Sequence, residues 1–155
     1  MRNYDKGARG MRTGLKIGGI LVALAMLAVV AQAGERDPLR PRVPAGKLAE
    51  VKAIVNPVPA TPESIERGRE VYRGIGSCNV CHGEDGNGKG IGASGLDPSP
   101  RDLTSKKWHK ARTDGELMWV LRHGSPGTAM ITVVPGLISE EEGWDVINFV
   151  RSLRK

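Results

Sequence analysis

Cys78-Asn79-Val80-Cys81-His82 is the stretch on which the fold of this chain turns, and it holds both cysteines found among the 155 residues. Two thiols three residues apart lie on one short helical turn. Each can add to one of the two vinyl groups along a haem edge, and the following residue then sets an imidazole beneath the iron. The pentapeptide reads as an attachment site for one haem c, covalent through Cys78 and Cys81, with His82 as an axial iron ligand. Three other chemistries use paired cysteines. A structural disulfide suits an oxidising compartment but leaves His82 without a role. A thioredoxin-like pair wants a βαβ surround, which is missing. A zinc site needs further ligands, and only His109 and His123 remain, with no second cysteine pair.

Outward from this centre the chain reads as helices and loops. Upstream, Thr61 is placed to cap a helix with Pro62 at its first position and Glu63 favourable to the dipole; Ile65, Gly68, Val71 and Tyr72 then share one face, which predicts a helix over 62–73. Downstream, Thr113-Asp114-Gly115-Glu116 has capping-box spacing, Leu117, Val120 and Leu121 share a face, and Gly124 suits a left-handed cap, so a second helix should end near His123. Ser139-Glu140-Glu141-Glu142 repeats the box, and Val146, Phe149, Val150 and Leu153 form a stripe that predicts a helix over 140–153. The three glutamates are explained by the dipole rather than by a metal. No stretch alternates apolar and polar residues as a strand would, and the domain reads as small, all-α and loop-rich. The glycine-rich stretch from Gly83 to Gly95 has no preceding strand and no Lys-Ser/Thr pair, which argues against a phosphate-binding loop.

The other axial ligand should lie downstream, where the candidates are Met118, Met130, His109 and His123. Met118 is mid-helix among core-like neighbours, where methionine usually fills gaps. His123 ends a helix and can serve the dipole there. Met130 is favoured because it lies in Gly124-Ser125-Pro126-Gly127-Thr128-Ala129-Met130, a loop whose turns and small side chains allow close approach to a flat cofactor. The run Lys106, Lys107, Lys110 and Arg112, broken by Trp108 and His109, reads as a solvated loop, with docking to an acidic partner or anchoring of haem propionates as alternatives.

At the N-terminus, Arg2, Lys6, Arg9, Arg12 and Lys16 precede an apolar run from Ile17 to Ala31, and Ala31-Gln32-Ala33 offers a small-x-small cleavage pattern. Residues 1–33 read as a secretory signal peptide, or else as an uncleaved anchor over residues 17–33; a 15-residue run is short for a span of roughly 17–25. Either way the rest is exported, which makes the expected location periplasmic, with membrane attachment only if the leader is uncleaved. The formal charge of +6 then changes meaning: without residues 1–33 it falls to +2, and a nucleic-acid partner loses its main support. Gly34 to Pro62 carries six prolines and few large apolar residues and reads as a tether or a surface-hugging extension, with a short helix possible from Ala45 to Val55 through Leu48, Val51 and Val55. The compact domain should start near Thr61 and occupy residues 61–155.

From Thr61 to Leu153 the ordered motifs resemble a class I monohaem cytochrome c of the bacterial periplasmic type. The resemblance rests on Pro-Glu-Ser-Ile-Glu-Arg-Gly-Arg-Glu-Val-Tyr, Cys-Asn-Val-Cys-His-Gly-Glu-Asp-Gly, Thr-Asp-Gly-Glu-Leu, Gly-Ser-Pro-Gly-Thr-Ala-Met and Leu-Ile-Ser-Glu-Glu-Glu-Gly-Trp. It implies three to five short helices around one haem, with the first and last crossing where Gly68 and Tyr72 meet the last helix near Phe149. Two positions depart from the pattern. Ile91 replaces a frequent proline whose carbonyl, in the family, receives the Nδ1–H of the proximal histidine; Ile91 still offers a carbonyl to His82, and Pro98 and Pro100 are nearby substitutes. Ile131 replaces a frequent proline after the ligand methionine and would make a bond from Met130 to iron easier to displace.

An iron held by His82 and Met130 has no open position for substrate, and thioether ligation favours the ferrous state. An apolar pocket, with Leu117, Val120, Leu121 and Ile131 as contributors, favours it further. The expected function is an exported single-electron carrier rather than an enzyme, docking transiently on donor and acceptor proteins. The alternatives are a haem subunit held in a larger oxidoreductase, with residues 34–60 as its contact arm, and a small-ligand-binding or sensory haem protein with a displaceable methionine.

Overall fold

A computed structural model of the chain describes residues 37–155. The leader expectation, residues 1–33, lies outside them. Among the described residues there are six α-helices and no strand: α1 Leu48–Lys52, entered through a 3₁₀ turn at Ala45–Lys47, α2 Pro62–Arg73, α3 Cys78–His82, α4 Lys106–Ala111, α5 Asp114–His123 and α6 Glu140–Ser152. No described helix is long and apolar enough to cross a membrane.

The three long helices begin where local chemistry dictates. Thr61 accepts a hydrogen bond from the Ser64 N–H at the start of α2, with Pro62 at a position that needs no donor. Thr113 with Glu116 and Ser139 with Glu142 form reciprocal capping boxes at α5 and α6. Gly124 does end α5 at positive φ, but its ψ of −160° lies outside the left-handed helical basin expected for it.

α2 and α6 cross at the molecule's closest helix contact. A Cβ on Gly68 would lie 2.0 Å from the Asp145 carbonyl oxygen, so only glycine permits this approach. One turn along, Tyr72 meets Phe149 edge-on at 5.1 Å between ring centres. A buried polar cluster brackets the crossing: Asp145 accepts from Ser64 Oγ at 2.7 Å and from Arg67 Nε at 2.8 Å, and Asn148 Nδ2 donates to Ser64 Oγ at 2.7 Å.

Two elements differ from expectation. Of the two readings of the extension, tether and surface-hugging segment, the second holds, and what differs is how deeply it packs: Val43 and Val51 are buried, and Asn56 donates to Asn148 Oδ1 at 2.8 Å. α1 runs against α5 at Gly115, where a Cβ would fall 2.0 Å from the Val51 carbonyl oxygen; Val55, expected on the same stripe, is exposed. The lysine-rich run is not a solvated loop. Ser105 caps it into α4, which turns Trp108 and His109 into the core while Lys106, Lys107 and Lys110 face water. These two short helices raise the count beyond the three to five expected.

Candidate haem site

The cysteine turn is built by its flanks. α2 ends in a tight reversal in which the Gly76 N–H bonds the Val71 carbonyl at 2.9 Å, and Ser77, at φ +48°, sits in the left-handed region immediately before Cys78. After His82 the chain folds back along α3, with Gly88, Gly90 and Gly92 donating to the carbonyls of His82, Cys81 and Val80 at 2.8, 3.1 and 2.8 Å. Tyr72 Oη donates to the Gly83 carbonyl at 2.8 Å, tying the end of α3 to α2. Cys78, Cys81 and His82 therefore sit on a short helix that is fixed at both ends.

All three line one cavity of about 370 Å³. Leu117, Val120 and Leu121 of α5 line it too, as do Met130 and Ile131, so the apolar contributors read from the sequence all reach it. His82 Nδ1 donates to the Arg101 carbonyl at 2.9 Å. The lone pair of the neutral imidazole is thus on Nε2, the atom a metal would take. Burial, the dominant cause, lowers the His82 pKa and disfavours the charged ring that could not ligate. Ile91, whose carbonyl was expected to play this part, is 93% exposed. The chain reaches His82 instead one residue after Pro100.

Burial pushes the Cys78 thiol up to about 11, which keeps it neutral. Among the described residues no group of three or more His, Cys, Asp or Glu side chains is placed to hold a metal ion. The residues present do fit a haem: two thiols with the attachment spacing, an oriented imidazole, and an apolar hollow facing them.

The four candidates for the second axial position separate cleanly. Met118 is fully buried in the core. His109 has both ring nitrogens engaged: Nε2 donates to the Leu103 carbonyl at 2.8 Å and Nδ1 accepts from Arg151 at 3.1 Å. His123 is exposed, stacked on Trp119 with ring centres 3.8 Å apart. Met130 alone of the four lines the cavity. Its loop is held by the Ser125 N–H on the Met130 carbonyl at 2.9 Å and by the Met130 N–H on Thr128 Oγ1 at 3.1 Å. Residues the sequence reading passed over also reach this cavity, among them Arg42 and Arg101, as does Glu116, read from the sequence only as a helix cap.

Residues 63–150 match the family model described as cytochrome c oxidase, cbb3-type, subunit III. Among solved structures, the chain is similar to one from the reducing HAO-like protein complex of Kuenenia stuttgartiensis, with a TM-score of 0.57 and 27% identity over 66% of this chain. It spans 50% of that chain's length. A comparison with curated proteins gives no match. The helical fold, the cavity and the family match over more than half of its length lead to one conclusion: the chain belongs to this family, and its domain is a monohaem, class I-like cytochrome c that carries a covalent c-type haem and transfers electrons.

Proposed function

We propose that this protein is an exported, periplasmic single-electron carrier whose iron is ligated by His82 and Met130 and which docks transiently on its redox partners. The observation that supports this most is that Met130, alone of the four candidate ligands, lines the same cavity as His82. The haem supplies a single iron that cycles between Fe(III) and Fe(II), one electron in and one out. The chain does the rest. Arg101 orients His82 through its carbonyl, the Ser125–Met130 loop presents a thioether, and α5 and Ile131 furnish an apolar wall that disfavours net charge. With His82 and Met130 both holding the iron, the site would have no place for a substrate, which would separate a carrier from an oxidoreductase.

A second reading has a specific observation in its favour: the matching family is described as an oxidase subunit, and the similar solved chain comes from a protein complex. On that reading the protein is a fixed haem subunit. Optical redox titration of the full-length haem protein tests the carrier chemistry. A single one-electron wave with unchanged line shape is expected, and a reduced form that binds carbon monoxide at once would overturn the closed site. Purification in mild detergent and low salt separates the two roles, since a carrier elutes alone and a subunit brings its partners.

A further inference from the structure

The apolar wall that α5 gives the cavity is interrupted at one point. Among the described residues that line the cavity, Glu116 is the one carboxylate, and it is 2% exposed. The capping box holds it in place: Oε2 accepts from the Thr113 N–H at 2.9 Å, and the Glu116 N–H donates to Thr113 Oγ1 at 3.4 Å. A buried charge is tolerated here because Glu116 lies in the first turn of α5, where the helix dipole favours an anion. The second oxygen is used differently. Oε1 is buried and accepts no hydrogen bond.

Arg112 is the ion-pair partner of Oε1, with Nη1 3.5 Å away. Its hydrogen bonds go to backbone instead, from Nη1 to the Ala111 carbonyl at 2.6 Å and from Nη2 to the Leu39 carbonyl. Arg40, Arg42 and Arg101 also line the cavity, so Glu116 is not the only charge acting on its contents. Charges superpose, however. The arginines offset the field of Glu116 at any point of the cavity, but they leave untouched the change made by neutralising it. Burial also keeps that field from being screened by salt, as the field of an exposed carboxylate is.

We propose that Glu116 sets the midpoint potential of the haem iron from the cavity wall: its carboxylate stabilises the extra positive charge of Fe(III), and so holds down a potential that the apolar wall raises. The proposal rests on the electron-carrier reading. One electron arrives from a redox protein and leaves the iron as Fe(II). Glu116 neither bonds to the iron nor accepts the electron; it acts through its fixed charge. One helix then carries both influences, with Leu117, Val120 and Leu121 favouring the reduced state and Glu116 the oxidised one.

The test is an optical redox titration of the full-length haem protein as wild type, Glu116→Gln, Glu116→Asp and Glu50→Gln. Glutamine keeps the size and a capping oxygen while removing the charge. At an effective dielectric constant of about 20, that loss moves the reduction equilibrium about threefold or more toward Fe(II) for any separation below about 25 Å, which is about 28 mV or more at 59 mV per decade for one electron. Glu116→Asp retains the charge but shortens the reach to Thr113, so Tm should fall while the equilibrium stays within about twofold of wild type. Glu50→Gln removes a carboxylate exposed on α1 and should change the equilibrium less than about twofold. A Glu116→Gln potential that equals wild type, falls below it, or is matched by Glu50→Gln overturns the proposal. Should Glu116→Gln fail to mature, Glu116→Met supplies a second uncharged side chain of similar length, with the same rise expected and the same result overturning it. Failure of the carrier reading is distinct, since it shows in wild type as a reduced form that binds carbon monoxide at once.

Discussion

The α2–α6 crossing gives the sharpest quantitative expectation. Replacing Gly68 by alanine places a methyl group 2.0 Å from the Asp145 carbonyl oxygen, 2.4 Å from its carbonyl carbon and 2.9 Å from the Val146 nitrogen, all backbone atoms that cannot rotate aside. Ordinary contact begins at 3.4 Å. The helices must therefore part by more than an ångström, loosening the Tyr72–Phe149 contact and the Ser64 and Arg67 bonds to Asp145. Overpacking costs about 1–3 kcal/mol, and stretched buried hydrogen bonds add about 1 kcal/mol. Against this, alanine gains about 1 kcal/mol of helix propensity over glycine. The net destabilisation is about 1–3 kcal/mol, or roughly 4–15 °C in Tm for a domain of this size. Differential scanning calorimetry of the haem protein measures it. Gly136→Ala is the control, since a Cβ there meets nothing within 4 Å, and it should move Tm by no more than a degree or two, roughly. Equal melting temperatures for the two variants would refute the close-packed crossing.

Other consequences can be measured in the same protein. Asp145→Ala leaves the buried Ser64 hydroxyl proton without its acceptor, though Asn148 still donates to Ser64 Oγ, and should cost about 1–3 kcal/mol in urea unfolding; Arg67→Ala, whose side chain is 51% exposed, should cost under about 1 kcal/mol, and a larger loss for Arg67→Ala would contradict the buried cluster. His109 has its pKa lowered by burial and then by Arg151 and Arg154, partly offset by its bond to Leu103 and by Asp102. Its contribution is complete above the unfolded value of about 6.5 and fades as pH falls below it, because the unfolded chain then binds the proton that the folded one refuses. His109→Gln should flatten the acid limb of a stability–pH curve below about pH 6.5, and an unchanged limb would contradict this. Without haem, the 370 Å³ hollow leaves the Cys78–His82 turn and α5 without their common packing partner. The haem-free chain should be largely unfolded, and a natively dispersed NMR spectrum would be the contrary result.

What the sequence revealed follows from how local each feature is. Thr61, Thr113 and Ser139 announce helices through contacts spanning three residues, and all three helices begin where those residues place them. The Cys78–His82 turn is equally local. α4 was missed because its buried face holds only Trp108 and His109 amid lysines, which gives no repeating stripe, although Ser105 was an available cap. The anchoring contacts of the extension were hidden for a different reason. Asn56 finds Asn148 across 92 residues and Arg112 finds Leu39 across 73, and no spacing rule reports such pairs. The partner of His82 is a backbone carbonyl at Arg101, a group every residue carries, so only the path of the chain selects it. Arg42 and Arg101 escaped notice because an isolated arginine in a proline-rich segment looks the same in solvent as at the wall of a cavity.

The central claim is that His82 and Met130 bring one iron into a closed six-coordinate site. It is tested most directly by the absorption spectrum of the oxidised full-length protein, alone and as Met130→Ala. The account predicts a weak far-red band of methionine–Fe(III) ligation in wild type, lost in Met130→Ala and retained in Met118→Leu. A band that survives Met130→Ala, or one absent from wild type, would contradict it.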